Sequence, residues 1–125
     1  MNVQDIIDII KGTLLNKEAD INKIIEGGCG ADLMSDVLAY IQPHAVLLTG
    51  LCNPQVVRTS DMADVSAIIL VRGKKPPQET IDLAIDKKIP VISTPFGMFE
   101  ACGRLYQAGL KSFESPVHDG PSDLE

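Results

Sequence analysis

The sequence contains no tryptophan, and aromatic residues make up only 4% of it against a hydrophobic fraction of 45%. An interior poor in rings must be filled by Ile, Val, Leu and Ala, with Met closing gaps. Cations are also in deficit: Lys and Arg number 11 against 17 Asp and Glu, a formal charge of −6, and no basic run interleaved with aromatics occurs. Nothing in that balance neutralises a phosphate backbone, so nucleic acid is excluded as an expected partner. No apolar run approaches the roughly 20 residues of a membrane span. The opening MNVQDIIDIIKG alternates acid with isoleucine and lacks the basic region of an export signal. The expected setting is cytoplasmic, without membrane contact.

Cysteine is sparse, odd in number and widely spaced, at Cys29, Cys52 and Cys102. No CxxC pairs them, His44 falls before a strand and His118 in the tail, so neither a metal nor any other cofactor is expected and the cysteines read as thiols. Catalytic signatures are missing as well. There is no G-x-S-x-G, no H-E-x-x-H, no meaningful Cys-His or Ser-His spacing, and no G-x-x-x-x-G-K-[ST], since RGKK lacks the distant glycine. Asp61 and Asp64 suit a solvated helix face. An enzyme is therefore not expected.

What is present is alternation. Val3, Ile6, Ile7 and Ile10 recur at helical spacing until Gly12, and GTLLN is a candidate first strand. Ile21, Ile24 and Ile25 form a β-prone segment running into GGCG, whose glycines mean that the backbone there turns tightly or is approached closely. A helix is expected from near Asp32 through Leu33, Val37, Leu38 and Ile41, stopped by Pro43. HAVLLTG, VSAIILVRG and IPVIST are continuous apolar runs, the pattern of strands covered on both faces. Between them lie a helix opened by Asn53 and Pro54 and one carrying Ile81, Ala84 and Ile85. A last helix over 98–108 presents Phe99, Cys102, Leu105 and Tyr106, with Gly109 beyond its end. Crossovers of that length predict an α/β fold, a mainly parallel sheet covered by helices, its first strand or two at an edge or antiparallel. One domain is expected over 1–110, followed by an acidic flexible tail over 111–125.

In a parallel sheet the segments after each strand share one edge. Here they are GGCG, TGLCN, RGKK and STPFG, which nominate Gly28, Gly30, Thr49, Gly50, Asn53, Arg72, Gly73, Lys74 and Thr94 for an anionic, phosphorylated or nucleotide-like ligand. The alternative is that these are ordinary turn residues and solvated cations. Arg58, inside a helix, reads as a surface or interface residue.

The run AVLLTGLCNPQVVRTSDMADVSAIILVRGKKPPQETIDLAIDKKIPVISTPFGMFEACGRLYQAG, with INKIIEGGCGADLMSDVLAYIQP before it, resembles the DRTGG domain, in particular the stand-alone type often encoded beside iron-only hydrogenase components. Such domains are similar to the N-terminal domain of HPr kinase/phosphorylase and to modules on phosphate acetyltransferases and CBS-domain pyrophosphatases. The resemblance implies a regulatory, non-catalytic homodimer with the fold of that N-terminal domain, a three-layer α/β sandwich with a mainly parallel sheet flanked by helices. Where the family carries Asp-Arg this chain has residues around Cys52 and Asn53, and where it carries Thr-Gly-Gly it has Val71, Arg72 and Gly73. Two expectations follow: a regulatory domain that binds a nucleotide or phosphometabolite, or an interaction scaffold for a hydrogenase-related or signalling protein with no small ligand.

Overall fold

The computed structural model describes residues 1–116. Its sheet is built from β1 (Thr13–Leu14), β2 (Gly27–Gly30), β3 (Ala45–Thr49), β4 (Ala67–Leu70) and β5 (Val91–Ser93), in the order β1-β5-β4-β3-β2. β2 through β5 are parallel, and β1 closes the other edge antiparallel to β5, pairing Thr13 with Ser93. The helices are α1 (Val3–Ile9), α2 (Met34–Tyr40), α3 (Pro54–Met62), α4 (Gln78–Lys87) and α5 (Met98–Gln107).

The sheet separates two cores. On one face Val46, Leu48, Ile69 and Ile92 pack with Ile6 and Ile10 at α1 and with Ala101 and Leu105 of α5. On the other, Leu47, Ile68, Leu70 and Val91 pack with Val37 of α2, Val56 and Val57 of α3 and Ala84 of α4. Alternate residues of β3 and β4 therefore feed opposite cores, which is why both strands are buried throughout and apolar except for Thr49 at the end of β3. The result is the expected α/β fold, helices on both faces of a mostly parallel sheet.

Capping chemistry sets several boundaries. α1 opens on a reciprocal box in which Asp5 N–H donates to Asn2 Oδ1 at 2.9 Å and Asn2 N–H to Asp5 Oδ2 at 2.8 Å. α4 ends on Lys88 in the left-handed region, φ 58°, and Gly109 follows α5 with φ 106°.

Three expectations are corrected. Of the two readings of GGCG the turn fails, because the segment is itself β2, paired from Gly27 with Ala45 to Gly30 with Leu48, and the close approach holds. Its glycines answer crowding: a Cβ on Gly27 would lie 2.4 Å from the Phe113 ring, and one on Gly30 3.1 Å from Cys102 Sγ. Gly28 and Gly30 are thus strand residues, whereas Ile21 and Ile24 lie outside any strand, exposed at 37% and 60%. α2 starts at Met34, close to Asp32 as expected, with Leu33 at the N-cap and the Asp32 carboxylate bonded to Gly50 N–H instead of capping the helix. Finally, residues 111–115, expected to be loose, line the outer edge of β2. Gly28 N–H donates to Lys111 C=O at 2.9 Å, Phe113 N–H to Gly28 C=O at 2.8 Å, and Ser115 N–H to Tyr40 C=O at 2.8 Å. Backbone groups that β2 would otherwise leave open are satisfied by this segment. The rest of the expected tail, with His118, lies outside the described residues.

Candidate functional site

The carboxyl ends of β3, β4 and β5 bring Thr49-Gly50, Val71-Arg72-Gly73 and Ser93-Thr94 to one rim. The organising group there is Asp32, in the connection from β2 to α2. Its Oδ1 accepts from Gly50 N–H at 2.7 Å and from the Thr49 hydroxyl at 3.0 Å, tying the loop after β3 to the loop after β2. Thr49 Oγ1 in turn accepts from Leu51 N–H at 3.2 Å. Thr94 is used in the same manner: its hydroxyl donates to Ile10 C=O at 2.7 Å and accepts from Phe96 N–H at 3.3 Å. Both threonines are fully buried. With donor and acceptor capacity engaged inside the fold, they shape the rim rather than face a ligand.

The cations are placed differently. Val71 is followed by two residues in the left-handed region, Arg72 at φ 64° and Gly73 at φ 61°. Their N–H groups donate to Phe96 C=O and Thr94 C=O, each at 2.7 Å, so the turn after β4 is fastened to the β5–α5 loop. Arg72 thereby occupies a conformation that costs a side-chain-bearing residue about 1 kcal/mol. Its guanidinium carbon lies 3.5 Å from the position a Cβ would take on Gly97, the N-cap residue of α5. A cation beside a helix N-terminus meets the positive end of the macrodipole, an arrangement that a bound anion would make favourable.

Lys74 reaches the neighbouring loop, its Nζ 3.7 Å from the Cβ position of Gly50, which Asp32 Oδ1 approaches to 3.6 Å. Among the described residues, neither Arg72 nor Lys74 has a carboxylate within ion-pair distance; the two pairs formed are Lys87 with Asp61 and Arg104 with Glu100. Asn53 stands at the N-cap position of α3 but makes no side-chain capping bond, and it is exposed. Beside this rim, toward β1, lies a cleft of about 640 Å³ lined by Lys17, Gly73, Lys74, Lys75 and Ser93.

The nine nominated residues therefore divide. Gly50, Asn53, Arg72, Gly73 and Lys74 belong to the strand-end rim, and Thr49 and Thr94 are buried beneath it. Gly28 and Gly30 line a separate cavity under α5. The sequence reading missed Asp32, Lys17 and Lys75. Asp32 follows GGCG after a single alanine, so reading GGCG as a strand would have placed Asp32 at that strand's carboxyl end, where a rim acid belongs.

The thiols are held in the neutral form. Burial pushes Cys29 up to about 12, reinforced by a hydrogen bond from the thiol to Glu114 and by that carboxylate's charge. Burial raises Cys102 too, with Glu114 adding to it, and raises Cys52 against the opposing pull of the Lys74 ammonium. Among the described residues no group of three or more His, Cys, Asp and Glu side chains is placed to hold a metal ion, and no helix is long and apolar enough to cross a membrane.

Comparison with known proteins adds two findings. The profile of the DRTGG domain matches residues 5–108. The solved CBS and DRTGG domains of the regulatory region of a Clostridium perfringens pyrophosphatase, complexed with the activator diadenosine tetraphosphate, superpose with a TM-score of 0.66 at 18% identity. That match covers 94% of this chain and 51% of the other, so the chain spans about half the length of its neighbour. At that identity the likeness speaks for the fold. No curated protein matches the chain by sequence.

Proposed function

The chain belongs to the DRTGG domain family, and from that premise we propose that it is a non-catalytic regulatory domain, dimeric and cytoplasmic, that binds a nucleotide or other phosphorylated small molecule at the carboxyl ends of its strands. The observation that carries this reading is the pair Arg72 and Lys74. In a protein of charge −6, two cations without a carboxylate partner among the described residues rest over glycine backbone, at Gly97 and at Gly50. A polyanion lying between them would be met by a guanidinium, an ammonium and the start of α5. Lys17 and Lys75 bring two further cations into the adjacent cleft, which Glu18 also lines. Asp32, which fixes the Gly50 loop, keeps one wall of the site in place before any ligand arrives.

Regulation would be thermodynamic. A ligand that ties the β3–α3 loop to the β4–α4 and β5–α5 loops favours one arrangement of the rim, and a partner that prefers that arrangement binds more tightly by the same factor. A nucleotide activator sits on the Clostridium perfringens regulatory region, which makes nucleotides the first probes.

The test is thermal unfolding of the purified protein with adenine and guanine nucleotides, dinucleoside polyphosphates and acetyl phosphate. A ligand at a hundredfold over its Kd adds about 2.7 kcal/mol, roughly 10 °C in Tm for a chain of this size. Arg72→Ala and Lys74→Ala should each remove most of that gain while folding normally; an undiminished gain in both would move the site off this rim.

A second reading has its own observation. The exposed aromatic face of α5 suits a protein contact, and an interaction module for a hydrogenase-related or signalling protein would show no response to any of these ligands.

A further inference from the structure

Toward β1 the cleft beside the rim changes character. Its lining includes Leu15, Pro76, Ile81 and Ile85, an apolar wall that a phosphate group has no use for. Ile81 and Ile85 stand four apart on one face of α4. Leu15 and Ile81 pack against the second core and line the cleft as well, whereas Ile85 packs against neither core and is 37% exposed.

This wall is fixed in place by a buried side chain. The Asn16 amide donates to Ile89 C=O at 2.7 Å and its Oδ1 accepts from Val91 N–H at 2.8 Å, while Leu15 N–H donates to Val91 C=O at 2.8 Å. Three bonds therefore hold the segment that carries Leu15, Lys17 and Glu18 against the start of β5, and the cleft is shaped before anything enters it.

The charges around the wall are mixed. Lys17, Lys74 and Lys75 line the cleft, none of them in an ion pair among the described residues, but so does the acid of Glu18. Lys74 belongs to both places, since it lines the cleft and reaches over Gly50 on the rim. A ligand that satisfies all of these groups carries an anionic end, a flat apolar body and some hydrogen-bond donors. A void of about 640 Å³ is within the roughly 300–1,000 Å³ of small-molecule sites.

We propose that this cleft is a nucleoside subsite. The phosphate chain of a nucleoside polyphosphate lies on Arg72, Lys74 and Lys75, and its base lies against Leu15, Ile81 and Ile85. This assignment, which rests on the reading of the rim as an anion site, selects nucleotides over acetyl phosphate and inorganic phosphates. The hydroxyls and amino group of a nucleoside donate to Glu18, which a phosphate oxygen cannot do and which repels a bare polyanion.

Titration calorimetry on the full chain with ATP and with inorganic tripolyphosphate tests it, because the two share a chain of three phosphates and differ by the nucleoside. ATP should bind about tenfold more tightly or better, from the apolar area that the base covers. Ile85→Gln keeps a good helix former at an exposed position and should fold normally. It should weaken ATP by about tenfold and leave tripolyphosphate within about twofold. Lys74→Ala should weaken both. Equal affinity for the two probes would overturn the nucleoside subsite and leave the anion site standing. A preference for ATP that survives Ile85→Gln would place the base elsewhere and overturn it too. Neither probe binding at about 1 mM would overturn the subsite, and, if acetyl phosphate and dinucleoside polyphosphates were also inert, the ligand reading of the rim with it.

Discussion

Asp32 offers the sharpest test of how the rim is built, because one oxygen holds two groups. Replacing it with alanine removes the acceptor for Gly50 N–H at 2.7 Å and for the Thr49 hydroxyl at 3.0 Å. Hydrogen bonds to a carboxylate contribute about 1.5–3 kcal/mol each, but Asp32 is solvent-exposed and Gly50 can turn to water, which cuts that bond to about 1 kcal/mol or less. Thr49 has no such recourse. It is fully buried, and a buried hydroxyl left without its acceptor costs about 1–2 kcal/mol. The expected loss is about 2 kcal/mol, roughly 8 °C in Tm at this chain length. The Asp32→Asn variant, which retains Oδ1 without the charge, should lose about half as much. Urea unfolding of Asp32→Ala, Asp32→Asn, Thr49→Val and the double variant Asp32→Ala with Thr49→Val gives the coupling directly, expected at about 1 kcal/mol. An alanine variant within about 0.5 kcal/mol of wild type, on the scale of a neutral surface change, would refute the idea that this carboxylate anchors the β3–α3 loop.

Other outcomes follow from single positions. Gly27→Ala puts a methyl 2.4 Å from the Phe113 ring and should release residues 111–115 from the β2 edge, costing about 1–3 kcal/mol and exposing the Phe113 amide to rapid hydrogen exchange. Lys88→Gly relieves a side chain held at φ 58° behind α4, and after the added entropy of the unfolded chain it should stabilise by about 0.5 kcal/mol, read as a higher urea midpoint at unchanged m. The raised Cys29 thiol gives an alkaline effect with a definite sign. Between its ordinary value of 9.0 and the folded value of about 12, the unfolded chain loses this proton and the native state keeps it, so stability present below that window declines as pH rises through it. Cys29→Ala should show a shallower decline, and Cys29 should resist alkylation in the native protein at about pH 8; rapid native-state labelling would contradict its burial.

Much of the fold was legible because its strongest signals are local. The runs at Ala45–Thr49 and Ala67–Leu70 are apolar on both faces up to the closing threonine, so they had to be strands with helices above and below. Pro54 at the first turn of α3 and Gly109 at φ 106° behind α5 mark helix ends by backbone chemistry that needs no tertiary partner. The β2 segment was illegible for the opposite reason. Gly27–Gly30 has neither strand propensity nor alternation, and its pairing comes from β3 on one side and from residues 111–115 on the other. The same applies to the threonines nominated for the rim. Thr-Gly at a strand end looks alike whether the hydroxyl faces a ligand or is buried against Asp32.

Local sequence was enough for the fold class, the order of strands and helices from Ala45 onward, and a cationic segment, Arg72 to Lys74, just past a buried strand. The acidic balance and short apolar runs were enough for the kinds of partner to expect. Three-dimensional packing was needed to make GGCG an edge strand and to lay residues 111–115 along it. Packing also made Asp32 the anchor of the rim and brought Arg72 and Lys74 to rest over Gly97 and Gly50. The physical reason is range: periodicity and capping are written within a few residues, whereas the Thr49–Asp32 bond joins positions 17 apart and the Thr94–Ile10 bond positions 84 apart. Partners at that separation are brought together by the packing of the cores on both faces of the sheet.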